Sequence, residues 1–351
     1  GEHLSRKGVR DAFERTTVSR EAPVVTPVQR AANRLRELAR GDARHGSCGM
    51  GIGETAADAL ALGREVVRAG DLADPSTLIR KLKRLQAYKL AQLADVSRAC
   101  DATAPAVREE LAALEQPLER TPYFERITEF TGRTRLVDET YLAHELRQGT
   151  AVFEGAQGVL LDEWHGFHPY TTWSTCTFAN ALTLLDECGY DGDVRRLGVL
   201  RGYATRHGPG PFVTEDAALT TRLPDPNNRQ DDWQRNFRVG WFDILTARYA
   251  LEACGGADAV ALTNLDRLAG VDAIRACTGY RFDEAVDHEL FVAAPTDPNL
   301  AVAMRKSVPG DLDRQERLTS ALFRAVPEYR EHRSVEEHIL AIEQALGVPL
   351  R

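Results

Sequence analysis

The chain has 351 residues, enough to bury a large core as two domains or as one large α/β domain with an insertion. Its 44 Lys and Arg stand against 52 Asp and Glu, a net charge of −8, and no segment interleaves basic with aromatic residues, which argues against a nucleic-acid groove. No apolar run reaches membrane-spanning length, and the six cysteines (Cys48, Cys100, Cys176, Cys188, Cys254, Cys277) include no C-x-x-C pair, so neither a disulfide framework nor a zinc knuckle is expected.

The opening GEHLSRKGVRDAFERT is too polar for a signal peptide and reads as a polar helix already under way, so a piece of a longer chain in a reducing cytoplasm is expected. In APVVTPVQRAANRLRELARG a short strand leads to Thr26 as N-cap, Pro27 at the first helical position, Gln29 closing a capping box, and Gly41 ending the helix. HGSCGMGIGE follows, glycine-rich enough for a backbone loop. From Asp71 to Gln148 the spacing becomes helical, as in STLIRKLKRLQAYKLAQLADVSRAC. This divides the chain into 1–72, part of an α/β nucleotide-binding core; 73–150, a helical insertion; and 151–351, the remainder of the core.

Strand-like runs resume with TAVFEG, RRLGVLRGYATR and ADAVALTNLD, separated by helical segments, the alternation of an α/β layered sheet. LPDPNNRQDD interrupts it as a polar loop, either merely mobile or closing over a substrate. Near the end, Ser334 with Glu337 caps the helix SVEEHILAIEQALG, Gly347 stops it, and VPLR begins a strand.

Three motifs carry chemistry. Gly155-Ala156-Gln157-Gly158 places a side-chain amide at the carboxyl end of a predicted strand, where open α/β sheets bind ligands, although a plain turn is the bland alternative. Thr171, Thr172, Ser174, Thr175 and Thr177 offer hydroxyls ahead of the helical run FANALTLLDECG, as phosphate binding or as ordinary N-capping. VALTNLD delivers Asn264-Leu265-Asp266 from an apolar strand and resembles a guanine-reading motif, in which an aspartate accepts two hydrogen bonds from the base N1 and N2, although Asn and Asp after a strand are also common turn residues.

In order and spacing, VFEGAQGVLLDEWHG, YATRHGPGPFVTE, RVGWFD with RYAL, and LTNLD with ACTGY together resemble adenylosuccinate synthetase over nearly the whole chain. HGSCGMGIGE then looks like that family's T-T-G-R-G-I-G-P segment. The resemblance implies a three-layer α/β/α sheet of P-loop-NTPase type with a helical insertion. It implies a cytoplasmic homodimer that joins aspartate to C6 of the 6-oxopurine nucleotide IMP, using GTP with Mg²⁺ and passing through a 6-phosphoryl intermediate. By resemblance Gln157 stabilises the developing 6-oxyanion, an electrostatic role aimed at transition-state charge. Thr172 holds the nucleotide's 5′-phosphate, Ser47 and Cys48 contact the nucleotide, and Arg64 reaches across the dimer. Asp231, Asp232, Trp233, Gln234, Arg235, Asn236 and Phe237 form the aspartate loop, with Arg235 clamping a carboxylate and also facing the nucleotide. Asn264, Leu265 and Asp266 read guanine.

The chain departs from the family pattern in several places. Ser47 and Cys48 replace two threonines, Met50 an arginine, Phe237 the loop's second arginine, and Asn264 the lysine of T-K-L-D. The P-loop-like segment with its catalytic aspartate, the acid histidine and the C-terminal Ser-Thr-Gly loop are absent from these residues, which by themselves are expected to be inactive and to carry no metal ligands. Two other readings stay open at this point: a paralogue acting on a guanine-type nucleotide, and a nucleotide-binding pseudoenzyme.

Overall fold

The computed structural model describes residues 2–118, 121–226, 228, 233, 234 and 236–351. The chain divides into two compact units, Gly1–Phe153 with Leu184–Tyr190 and Glu154–Thr183 with Asp191–Arg351.

In the first unit, helices α1 (Glu2–Arg6), α2 (Pro27–Arg40), α3 (Ile52–Leu62), α4 (Pro75–Gln92), α5 (Ala94–Ala99), α6 (Pro105–Glu115), α7 (Pro122–Arg133) and α8 (Thr140–Glu145) accompany one parallel strand pair, β1 (Thr17–Ser19) with β2 (Arg135–Val137). The apolar spacing of α2 puts Val28, Ala31, Ala32 and Leu35 on one face, and that face packs with Leu78, Leu82 and Leu85 of α4 and Val107 and Leu114 of α6. Thr26 caps α2 as expected: the Gln29 side chain accepts from the Thr26 backbone N–H at 3.0 Å, and Thr26 Oγ1 accepts from Gln29 N. The other end of that amide does more than the cap requires. Gln29 Nε2 donates to Asp58 at 2.9 Å, and Lys89, fully buried, sets its ammonium 2.7 Å from Asp58 and 2.5 Å from Glu54. A buried cation is thereby matched by two carboxylates from α3. The strand expected before Thr26 is reduced to one antiparallel bridge, Pro23 with Arg68, because proline supplies no ladder donor.

The second unit holds a five-stranded sheet in the order β11 (Val326–His332), β8 (Ile274–Arg281), β10 (Asp297–Met304), β9 (Phe291–Ala294), with β6 (Phe242–Asp243) parallel to β8. Two further pairs stand beside it, β3 (Leu197–Arg201) parallel to β7 (Ala259–Thr263) and β4 (Ala204–His207) antiparallel to β5 (Phe237–Gly240). The helices are α10 (Ala217–Arg222), α11 (Ile244–Ala253), α12 (Leu312–Leu322) and α13 (Val335–Leu346), with the part of α9 (Ala179–Glu187) up to Thr183. Leu245 and Tyr249 of α11 and Leu318 of α12 close over Tyr280, Phe291 and Ala301 of the sheet. Asp243 caps α11 from within this core and accepts from Tyr280 Oη at 2.5 Å; burial raises its carboxyl to about 6. Ser334 caps α13 and Gly347, at φ 65°, stops it, while Glu337 reaches the N–H of Arg333 rather than that of Ser334. Leu350 then bridges Val260 in parallel, the start of a strand beside β7.

Mixed parallel and antiparallel strands among helices confirm the α/β class. One predicted strand fails. Residues 151–155 of TAVFEG form no strand, and Val152 is 89% exposed. Among the described residues no strand lies alongside them, and without ladder hydrogen bonds a β-branched run has nothing to hold it extended in a sheet. Gln157 therefore sits in a loop, not at the end of a strand.

Candidate functional site

The segment from Gly155 to Thr177 is closed by a carboxylate that sequence reasoning passed over. Asp162 is 1% exposed; one oxygen accepts from the N–H groups of Trp164 (2.8 Å) and His165 (3.0 Å), the other from Cys176 N–H at 2.6 Å. The first pair is an Asx turn, legible in an aspartate followed by Glu-Trp-His, but the bond to Cys176 spans fourteen residues and has no local signature. Thr172 N–H donates to Leu161 O at 2.8 Å and Glu163 N–H to Ser174 O at 3.2 Å, so the threonine run lies back along the 161–163 turn. Gly166 sits at the crossing: a Cβ there would come within 2.6 Å of Asp162 O and 2.7 Å of the Thr171 methyl. Tyr249 Oη and Gln315 Nε2 donate to the carbonyls of His165 and Gly166, each at 2.6 Å, tying the loop to α11 and α12.

Gln157 takes a left-handed backbone, φ 61°, unusual for a residue with a side chain. Its exposed side chain sets Oε1 3.9 Å from Cys176 Sγ, a thiol that also faces Ser174 O at 3.5 Å. Burial, reinforced by the charges of Asp162 and Glu163, pushes that thiol up to about 12, so it stays protonated and remains a donor. With the amide oxygen turned to the thiol, the nitrogen is the end left to donate. Thr172 is half-buried, Thr175 Oγ1 donates to Glu163 at 2.8 Å, and Thr177 Oγ1 accepts from Ala179 N–H at 3.3 Å. Of the hydroxyls ahead of α9, Thr177 thus serves the first N–H of the helix and Thr175 braces Glu163.

The Asn-Leu-Asp motif leaves β7 as expected. Asn264 is left-handed at φ 58° and opens a 3-10 turn over Leu265–Leu268; Asp266 is exposed. Thr263 Oγ1 donates to Leu200 O and to Asn264 Oδ1, both at 3.0 Å, so Asn264 braces the turn locally. Asp231, Asp232 and Arg235 of the predicted aspartate loop lie outside the described residues. Trp233 and Gln234 are half-buried in a turn and Asn236 is exposed. Phe237 is the first residue of β5, opposite His207, with ring centroids 4.9 Å apart, and it packs on the cluster of Tyr203, Leu219, Val239 and Trp241. That position has become a core anchor. One residue on, Arg238 opposes Arg206 across the ladder. Arg238 is met by Glu215 at 2.6 Å and by the carbonyls of Gly208 and Gly210, whereas Arg206 donates to Tyr170 O at 3.4 Å and lies over the Phe167 ring. Burial, then the charge of Arg238, lowers Arg206 to about 10.

In the first unit the glycine-rich loop is held by α2. Asn33 exchanges hydrogen bonds with Ser47 Oγ at 3.0 and 3.2 Å and accepts from Gly51 N–H; Arg34 Nε donates to Gly49 O at 2.9 Å, and Glu37 accepts from Gly46 N–H at 2.9 Å. Gly51, left-handed at φ 87°, lies so close to α2 that a Cβ would fall 2.7 Å from the Gln29 carbonyl carbon. Cys48 is a half-buried free thiol, Met50 is exposed, and Arg64 is exposed on the 3-10 turn Gly63–Glu65.

An oriented amide, threonines laid along a clamped turn and an exposed aspartate after a parallel strand equip an α/β scaffold for nucleotide chemistry. The family model of adenylosuccinate synthetase matches residues 1–351. The adenylosuccinate synthetase of Anaeromyxobacter sp. (strain K) is 31% identical over 325 residues, covering 90% of this chain and 70% of the relative. That of Desulfovibrio desulfuricans is 30% identical over 354 residues, covering 99% and 76%. The solved structure of fully ligated adenylosuccinate synthetase from Plasmodium falciparum superposes with a TM-score of 0.69 at 20% identity, covering 99% of this chain and 78% of that one, a likeness of fold. The chain belongs to the adenylosuccinate synthetase family. It is a GTP-dependent ligase of purine biosynthesis that joins aspartate to IMP, and neither the guanine-type paralogue nor the pseudoenzyme is needed to account for it.

Proposed function

We propose that the residues gathered above divide the ligase reaction as follows. Gln157 donates from Nε2 to the oxygen that gathers charge at C6 of IMP as phosphate is transferred to it from GTP. The observation that carries this is the backbone: Gln157 is held left-handed in the turn before the clamped loop, which aims its side chain, with the Cys176 thiol facing the amide oxygen. Preorganised donors of this kind lower the barrier because no reorientation is needed as charge develops. Thr172, held against Leu161, receives the 5′-phosphate. In the first unit, Ser47 can turn its proton to a phosphate while still accepting from Asn33, and Cys48 supplies a weaker contact than a hydroxyl. Asp266 accepts from guanine N1 and N2, Arg235 clamps a carboxylate of aspartate, and Phe237 fixes the end of that loop in the core.

Arg64 is proposed to reach the nucleotide of a second subunit in a homodimer, and the enzyme to work in the cytoplasm. Residues 73–150 are proposed as an insertion into a nucleotide-binding core built from 1–72 and 151–351. Magnesium enters this reading only with GTP. Among the described residues no three His, Cys, Asp or Glu side chains come together to hold a metal ion.

The test is Gln157→Ala in the whole enzyme. Turnover is expected to fall about 10²-fold or more with the KM for IMP little changed. Parallel loss of turnover and IMP binding would make Gln157 a structural residue.

A further inference from the structure

Two histidines buried behind the second unit's strands belong to no part of the reaction described above. His332, at the end of β11, is 2% exposed, and His338, in the first turns of α13, is 0% exposed. Their Nδ1 atoms lie 2.9 Å apart, and His338 Nε2 lies 2.9 Å from Gly202 O. A carbonyl only accepts, so His338 carries its proton on Nε2. Its Nδ1 must then accept, and His332 Nδ1–H must be the donor. The tautomers of both rings follow from one backbone oxygen. His332 Nε2 is left as a buried acceptor without a partner among the described residues, so a proton there has no group among them to receive it.

Gly202 is the seat of the turn that carries Asp266. Its N–H donates to Thr263 O at 2.8 Å, the residue before Asn264. Its bare Cα faces Leu265 and Leu268: a Cβ would come within 2.8 Å of Leu265 Cδ2 and 3.1 Å of Leu268 Cδ1. The two peptides that flank Gly202 are thus held separately, the one before it by the base of the turn and the one after it by His338, with the turn packed on the Cα between them. Phe242 packs edge-on against the His338 ring, with centroids 5.8 Å apart.

We propose that His338, set by His332, is a positioning residue for GTP: it holds Gly202 so that the Asn264-Leu265-Asp266 turn presents its carboxylate at one fixed height to the base. This rests on the reading of Asp266 as the guanine contact. Neither histidine touches substrate. Losing the bond frees the Gly202 peptide to tilt, and the turn above it tilts too, which weakens guanine recognition while leaving the IMP and aspartate contacts alone.

The test is a steady-state comparison of wild type, His338→Leu, His338→Gln and His332→Phe in the whole enzyme with GTP, IMP and aspartate varied in turn. His338→Leu is expected to raise the KM for GTP roughly ten-fold, the effect of one buried hydrogen bond, with those for IMP and aspartate within about two-fold. His338→Gln, whose amide N–H can still serve Gly202 O, is expected to recover most of that loss. His332→Phe, which keeps His338 but removes its donor, is expected to raise the KM for GTP about three-fold, and it decides the matter if His338→Leu does not fold. Equal changes in all three KM values, no change for GTP, or failure of glutamine to rescue would each overturn the proposal. Asp266→Asn is assayed in parallel with GTP and XTP. An unmoved preference there would remove the base-reading assignment, whereas a shifted preference beside unaffected histidine variants would remove only the positioning role.

Discussion

Replacing Asp162 by asparagine tests whether the clamp on the 157–177 segment serves catalysis or only folding. The carboxylate accepts three backbone N–H bonds through two oxygens. An amide has one oxygen, which can keep Trp164 and His165, and its NH₂ must then face the Cys176 N–H across 2.6 Å. The variant therefore trades one charge-assisted bond for two opposed donors. A bond of that type is worth about 1.5–3 kcal/mol, so the tie between residues 162 and 176 weakens by roughly 2 kcal/mol. At about 1.4 kcal/mol per factor of ten, the closed loop becomes some thirty-fold less favoured relative to open forms. Cys176 moves with its backbone and Gln157 loses the thiol that turns its amide. Urea unfolding should show the stability loss, and steady-state kinetics should show kcat/KM for IMP lowered about 10- to 30-fold. Thiol titration adds a third reading: without the Asp162 charge the Cys176 thiol should ionise at lower pH, though burial, the larger cause, keeps it above an ordinary cysteine. Lost stability with unchanged kinetics would refute the argument that this loop orients Gln157.

Lys89→Met leaves Asp58 buried without its cation, while Glu54 keeps Arg36 at 2.7 Å, and destabilisation of about 3 kcal/mol is expected by urea denaturation; a loss below about 1 kcal/mol would show that Asp58 finds another partner. Burial lowers His338 to about 4, so between pH 4 and the ordinary histidine value the unfolded chain binds a proton that the folded chain refuses. The contribution of His338 is full above that ordinary value and is lost as pH falls toward 4, in total on the order of 3 kcal/mol. Asp243, raised to about 6, works in the opposite direction over the same range, so the measurement is the difference between wild type and His338→Gln, in which Asp243 cancels; identical pH profiles would remove the claim. Arg235→Leu is expected to raise the KM for aspartate far more than those for IMP and GTP, and an unchanged aspartate dependence would break the correspondence of the loop around Phe237.

What was legible in the sequence was local. Thr26, Ser334 and Gly347 were readable as helix ends because a cap is satisfied within three or four residues, and β3 and β7 because their apolar runs pair side by side. Asn264 and Asp266 fell where the strand-then-turn pattern put them. TAVFEG misled because β-branched residues report fitness for a sheet, not the presence of a neighbour. Asp162, the His332–His338 pair and the Lys89 network stayed hidden because each is made by partners far apart in sequence. Phe237 was legible as a departure from a family pattern, but its use, packing on His207 in a core cluster, needed the strand pairing.

The grip of α2 on the glycine-rich loop has a consequence for how such a site can drift over generations. Apart from Ser47, what Asn33, Arg34 and Glu37 hold is peptide: the N–H groups of Gly46 and Gly51 and the carbonyl of Gly49. Course and composition of the loop are thus inherited separately. Side chains at 48 and 50, which these bonds do not touch, can be exchanged without moving the loop backbone. A conservative change on α2 has the opposite character: Asn33→Asp would lower the number of donors beneath the loop and shift every residue in it at once. New ligand preferences would then arise most readily through exposed loop positions, while the helix beneath them stays under selection.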